Sequence, residues 1–139
     1  MPVDFDPFRS DVPKEVSTTE AQKEIIANIS FGGKAASCAY NESVSLLLTG
    51  SFSRSAFIKA AIDLVERHEA LRCIFSDDGT TVRILSSVTS EVDFIDLSGI
   101  DSDLQDQRVD AVLDEEAETE FNITEGPLFR FRLLKLKED

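Results

Sequence analysis

Tryptophan is absent, and methionine, tyrosine and histidine each occur once. A single histidine, His68, leaves no imidazole pair for a zinc site and no second histidine for a catalytic relay. The two cysteines, Cys38 and Cys73, stand far apart and outside any C-x-x-C pair. A disulfide framework or cysteine metal site is therefore not expected, and both read as small buried residues. Basic residues are scarce, 14 against 27 acidic, and the net charge of −13 opposes phosphate-driven binding of nucleic acid. No apolar run approaches the roughly 18 residues of a membrane span, and the segment from Met1 to Arg9 lacks the apolar region of a signal peptide. The expectation is a soluble, cytoplasmic, single-domain chain with neither nucleic acid nor membrane as partner.

What the chain does have is 42% hydrophobic residues in short runs with changing period. Pro2, Pro7 and Pro13, with Phe5 and Phe8 between them, predict an extended leader over residues 1–16. Ser17 and Glu20 have capping-box spacing, so a helix is predicted from Thr18, with Ala21, Ile25 and Ile29 as its stripe and Gly32-Gly33 as its stop. Val44, Leu46 and Leu48 alternate with Ser45, Leu47 and Thr49, which predicts a strand over 43–49. Ser51 or Ser53 then caps a second helix bearing Phe57, Ala60, Ala61, Leu64 and Val65. These serines, like Ser17, read as caps and not nucleophiles, because no histidine is placed to activate them.

Two β-rich runs, 71–75 and 81–85, flank Asp78-Gly79 and predict a hairpin, with a further strand over 92–95. Between Asp101 and Glu120 nine acidic residues accompany a helical stripe of Val109, Val112, Leu113, Ala117 and Phe121, predicting a third helix with a charged outer face; an acidic docking surface is the alternative reading. After Gly126-Pro127, Phe129, Phe131 and Leu133 alternate with Arg130 and Arg132 in a last strand over 128–136. The order α-β-α-β-β-β-α-β places the chain in the α/β (α+β) class, with helices packed on a mixed sheet.

Four stretches resemble one family. RHEALRCIF (67–75) resembles the RHExLRTxF motif of nonribosomal peptide synthetase condensation domains, and TEAQ (19–22) the S-x-A-Q head of their first motif. CAYNES (38–43) is similar to the tract leading into their first strand, and FNITEGPLFRFRLLKL (121–136) to their F-x-L-x-x-G-P-L-x-R segment. They occur in the family's order across nearly the whole chain. Cys73 departs from the usual threonine, and Glu24 and Ile26 from the usual residues of the first motif. The family's HHxxxDG signature is absent.

The resemblance implies a chloramphenicol-acetyltransferase-like half domain, with residues 17–139 as the N-terminal portion of a condensation domain that stops before HHxxxDG. It implies that the complete parent is an enzyme joining a carrier-bound donor acyl or peptidyl thioester to a carrier-bound acceptor aminoacyl thioester through an amide bond. Amine attack on a thioester needs proton management and oxyanion stabilisation, so this chain alone is expected to be inactive. No cofactor is expected to bind directly; phosphopantetheine would arrive on peptidyl or acyl carrier proteins, which with the rest of the synthetase are the implied partners. Self-association of the truncated chain is also expected. The competing readings are a non-catalytic module that binds carrier proteins or scaffolds a synthetase, and part of a related carrier-dependent O-acyltransferase.

By the same resemblance no catalytic residue is assigned here. Arg67 would support the catalytic loop by pairing with the aspartate of HHxxxDG, and Gln22, Tyr40, Asn41 and Arg72 are candidate tunnel-lining residues. The local alternative for Arg67 is a pair with Asp63 on its own helix, worth about 0.2–0.5 kcal/mol. His68 reads as a helix-end residue, Glu69 and Arg72 as helix-end and strand-edge charges, and Gln22, Tyr40 and Asn41 equally as satisfied polar groups at element ends. Arg130 and Arg132 are expected to pair with acidic residues on the same sheet or with the missing half of the parent domain, with binding of an anionic phosphopantetheine arm as the alternative.

Overall fold

The computed structural model describes residues 14–137. The expected leader therefore lies outside the described residues up to Pro13. Its end is extended but also paired: β1 (Lys14–Ser17) forms an edge strand. Ser17 is committed to that strand, opposite Thr81, and so does not cap the first helix. Thr19 does, with α1 running Glu20–Cys38. Its Oγ1 accepts from the Gln22 amide at 3.3 Å while Gln22 Oε1 accepts from the Thr19 amide at 2.9 Å, a capping box shifted two residues from the expected one.

Gly32-Gly33 does not stop the helix. Gly33 adopts φ 61°, ψ −152°, a conformation open to glycine, which kinks α1 before it resumes to Cys38. The expected strand over 43–49 is not formed. Val44, Leu46 and Leu47 are 84%, 78% and 79% exposed, and no neighbouring strand meets this segment among the described residues. Alternation specifies a strand face, but a strand exists only against a partner.

The second helix, α2 (Arg54–Arg67), is capped by Ser53 and buries Ala61 and Val65, whereas Leu64 of the predicted stripe is substantially exposed. A single 3-10 turn, Glu69–Arg72, leads into β2 (Cys73–Phe75), which pairs antiparallel with β3 (Thr81–Ile84) as the predicted hairpin. The strand β1 lies on the other edge of β3, giving the order β1-β3-β2. In the hairpin turn Gly79 has φ 68°, and a Cβ there would come 2.9 Å from Ile26 Cγ2. Glycine thus lets the turn approach α1, and buried Thr18 fastens it by donating its hydroxyl to the Gly79 and Thr80 carbonyls at 2.9 and 3.0 Å.

The remaining elements form a second unit. The strand β4 (Val92–Asp96) runs parallel to β5 (Phe131–Lys135), with Val92 opposite Phe131 and Asp96 opposite Lys135. Parallel neighbours need a crossover, supplied by α3 (Ser102–Glu118). The structure is α/β as expected, but the mixture of strand directions is divided between one antiparallel and one parallel sheet. Ile26, Ala61, Val65, Ile74, Val82, Leu97 and Val112 form the buried apolar core, to which both units contribute. Cys38 and Cys73 are unpaired thiols, half-buried and not fully buried as expected.

Candidate functional site

In open sheets with parallel strands, chemistry collects beyond the strands' carboxyl ends. Here those ends are Asp96 and Lys135, and the residues just past them are tied together by Gln105 of α3. The Gln105 amide nitrogen donates to the Leu97 carbonyl at 2.9 Å and to the Leu136 carbonyl at 2.6 Å. One side chain thus fixes the exits of both strands. Beside it, Asp96 Oδ1 accepts from the Ser98 hydroxyl at 2.5 Å and the Ser98 amide at 3.0 Å, which holds the Asp96 carboxyl below the usual range. This edge presents pinned backbone and an occupied carboxylate. Chemically it is a mount for a following loop, not a nucleophile paired with a base.

The segment 67–75 is built around Arg72. Arg72 is 2% exposed, so it is not the strand-edge charge expected. Its Nε donates to the Val65 carbonyl at 3.2 Å and its Nη1 to the Leu85 carbonyl at 2.6 Å, while the Leu85 amide returns a bond to the Arg72 carbonyl at 2.9 Å. A cation placed on a carbonyl in the last turn of α2 satisfies an orphan acceptor and complements the helix dipole. Glu69 accepts from Lys14 Nζ at 2.7 Å, joining the turn to β1. Cys73 donates its thiol to the Glu69 carbonyl at 3.3 Å, and burial, with the Glu69 carboxylate, pushes that thiol up, away from the reactive thiolate.

Arg67 and His68 lie at the exposed end of α2. His68 caps it through its backbone, donating to the Leu64 carbonyl at 3.1 Å. Arg67 does not pair with Asp63, whose carboxylate is taken by Lys59 at 2.8 Å from the previous turn. Among the described residues the Arg67 guanidinium makes no ion pair or hydrogen bond. At the other end of the helix Arg54 lies over the Phe94 ring, 4.0 Å from its centroid, seating α2 against β4.

The segment 121–136 is held by charge. Arg132 Nε lies 2.6 Å from Glu116, Nη1 3.0 Å from Glu115, and Nε 3.8 Å from Asp93 directly across the sheet. Arg130 lies 3.3 Å from Glu116, donates to the Thr119 and Glu120 carbonyls at 3.2 and 2.6 Å, and covers the Phe121 ring at 3.9 Å. Both arginines pair with acidic groups, but only Asp93, a partner of Arg132, lies on the same sheet as expected; their other partners, Glu115 and Glu116, lie on α3, which the expectation did not include. Part of the acidic face of α3 is thereby internal to the fold.

The tunnel candidates are dispersed. Gln22 belongs to the capping box of α1, and the Tyr40 hydroxyl accepts from Asn28 Nδ2 at 2.9 Å. Asn41 Nδ2 donates to the Glu116 and Thr119 carbonyls at 3.2 and 2.9 Å, with Ala117 O at 3.4 Å, capping α3 from 75 residues away in the chain. Sequence reading missed the roles of Gln105 and Asn41. Gln105 carried a signal, being a polar residue on the stripe it shares with Val109 and Val112; Asn41 carried none in its own neighbourhood.

Comparison with known proteins agrees with this geometry. A linear gramicidin synthase of Brevibacillus parabrevis is 34% identical over 101 residues, covering 71% of this chain and 2% of that protein. Gramicidin S synthase 2 of Aneurinibacillus migulanus is 33% identical over 122 residues, covering 87% of this chain and 2% of that protein. Among solved structures, the starter condensation domain of the rhizomide synthetase RzmA superposes with TM-score 0.64 at 24% identity, over 88% of this chain and 29% of that one. A cyclization-docking bidomain of EpoB from Sorangium cellulosum does so with TM-score 0.69 at 18% identity, over 99% and 27%. The chain thus spans under a third of these solved chains and a small fraction of the synthetases. A family model, the condensation domain, matches residues 13–139, and the chain belongs to the condensation-domain family.

Proposed function

We propose that this chain is the scaffolding N-terminal portion of a condensation domain in a cytoplasmic nonribosomal peptide synthetase, with the domain starting at β1 and not at residue 17. The complete domain forms an amide between a donor acyl or peptidyl thioester and an acceptor aminoacyl thioester. Both are delivered on the phosphopantetheine arms of carrier proteins, which with the rest of the synthetase are its partners. The observation that carries this reading is the family match over residues 13–139 together with a strand exit fixed by Gln105. At that exit the Gln105 amide holds the Leu97 and Leu136 carbonyls, and the Asp96 carboxylate is engaged by Ser98 and lies 4.0 Å from the Lys135 ammonium, an arrangement that supports a positioning role for this part of the chain. In the test, the 139-residue chain is mixed with loaded donor and acceptor carrier proteins. No amide above the carrier-only background is expected; turnover would overturn the assignment.

Within this reading Arg67 is a positioning residue. Its exposed guanidinium, with no partner among the described residues, supports a role in steadying the catalytic loop of the complete domain. In that domain Arg67→Ala should lower kcat for amide formation more than it raises KM, and Arg67→Lys should rescue in part. Gln22 and Tyr40 remain candidates for the tunnel wall. Asn41 and Arg72 direct their polar groups at main-chain carbonyls, which favours a scaffolding role for both.

A further inference from the structure

The parallel ladder of β4 and β5 ends at a side chain. At its last rung the Leu97 amide donates to the Lys135 carbonyl at 2.8 Å. In this register the next rung would join the Lys137 amide to the Leu97 carbonyl. That carbonyl instead accepts from Gln105 Nε2 at 2.9 Å, and the same nitrogen donates to the Leu136 carbonyl at 2.6 Å. Both N–H groups of the amide are thus committed, one to each strand.

The position suits the task. Gln105 is half-buried near the start of α3, where its main-chain amide donates to the Asp101 carbonyl at 2.8 Å, and buried Val112 anchors the same helix two turns on. Asp103 and Asp106 flank it, yet a carboxylate at 105 would repel both carbonyls. We propose that Gln105 terminates the β4–β5 ladder and is thereby a positioning residue, making the chain leave the sheet after Leu136 and setting where the following segment begins. One consequence rests on the condensation-domain reading given above: in the complete domain the segment so placed bears the HHxxxDG loop.

Two measurements keep the ladder and that reading apart. In the 139-residue chain, Gln105→Met keeps the side-chain length but removes the donor. The freed Leu97 carbonyl should then take the Lys137 amide, whose hydrogen exchange, followed by NMR, should slow about three- to tenfold, as one added backbone hydrogen bond implies. Gln105→Asn, one methylene too short to span both carbonyls, is the second variant should Met disturb folding. In the complete domain, Gln105→Met should lower kcat for amide formation about 10- to 100-fold and leave KM for each loaded carrier protein within about twofold, because a misplaced loop loses rate and not substrate affinity. Unchanged or faster exchange at Lys137 in both variants overturns the proposal, whatever the complete domain does. Slower exchange with an unaltered kcat overturns the positioning role. An unmodified complete domain that forms no amide overturns the condensation reading and the catalytic consequence with it, while the exchange result still decides the ladder.

Discussion

The two sheets fix their arginines in opposite ways. In the antiparallel unit Arg72 is buried and bonded only to carbonyls; in the parallel unit Arg130 and Arg132 lie nearer the surface among carboxylates. The first arrangement joins a helix end to a strand end through neutral acceptors, which solvent salt hardly reaches. The second joins a helix flank to a strand through ion pairs, whose strength follows pH and ionic strength. Stability of the antiparallel unit should accordingly depend on packing, and that of the parallel unit on solution conditions.

The largest effect should come from Arg72→Ala. It leaves the Val65 and Leu85 carbonyls without their charged donor, and charge-assisted bonds of this kind are worth ~1.5–3 kcal/mol each. A loss of about 3 kcal/mol in urea unfolding, insensitive to salt, is the expected outcome. A loss that shrinks in molar salt would make the two units alike. Next comes Val65→Ala, at the most buried large side chain of α2. It should cost roughly 2 kcal/mol through lost transfer and the cavity left behind, with the midpoint lowered and the m-value unchanged.

Arg132→Gln should be milder, up to about 1 kcal/mol, because its ion pairs are partly solvated. This variant also tests the pH dependence. Arg132 holds the Glu115 carboxyl below its ordinary value, chiefly by a direct hydrogen bond. A depressed carboxylate adds stability that is fully present above its unfolded pKa and is lost as pH falls through the folded one. Thermal midpoints of the unmodified chain should therefore fall on acidification below about pH 4.5, and Arg132→Gln should flatten part of that slope.

The smallest effect concerns Asp78 in the hairpin turn. Hydrogen bonds from the Ser76 hydroxyl and from the Thr80 amide and hydroxyl lower its carboxyl to about 2. By the same sign, the turn should loosen only as pH falls from about 4 toward 2. Asp78→Ala should remove that acid transition with a slight fall in melting temperature.

Sequence was most informative where the signal is local. Asp78-Gly79 between β-rich runs located the hairpin, and the spacing of Ala61 and Val65 located the buried side of α2. Capping was legible in kind but not in register, since pairing of Ser17 with Thr81 passed the cap to Thr19. The strand expected over 43–49 shows the limit from the other side. Alternation records which face a strand would bury, whereas formation depends on a partner that a local window cannot see. The candidate site was less legible still. Arg72 and Asn41 act on carbonyls presented by helix ends, and Asn41 meets its carbonyls only after the crossover has brought α3 back.

That last bond has a mechanical consequence for the segment that follows it. The Asn41 amide ties the start of the 43–49 segment to the end of α3, while the residues that follow it are unpaired among the described residues. The chain entering 43–49 therefore starts from a position set by the C-terminal end of α3 and not by its own neighbours in sequence.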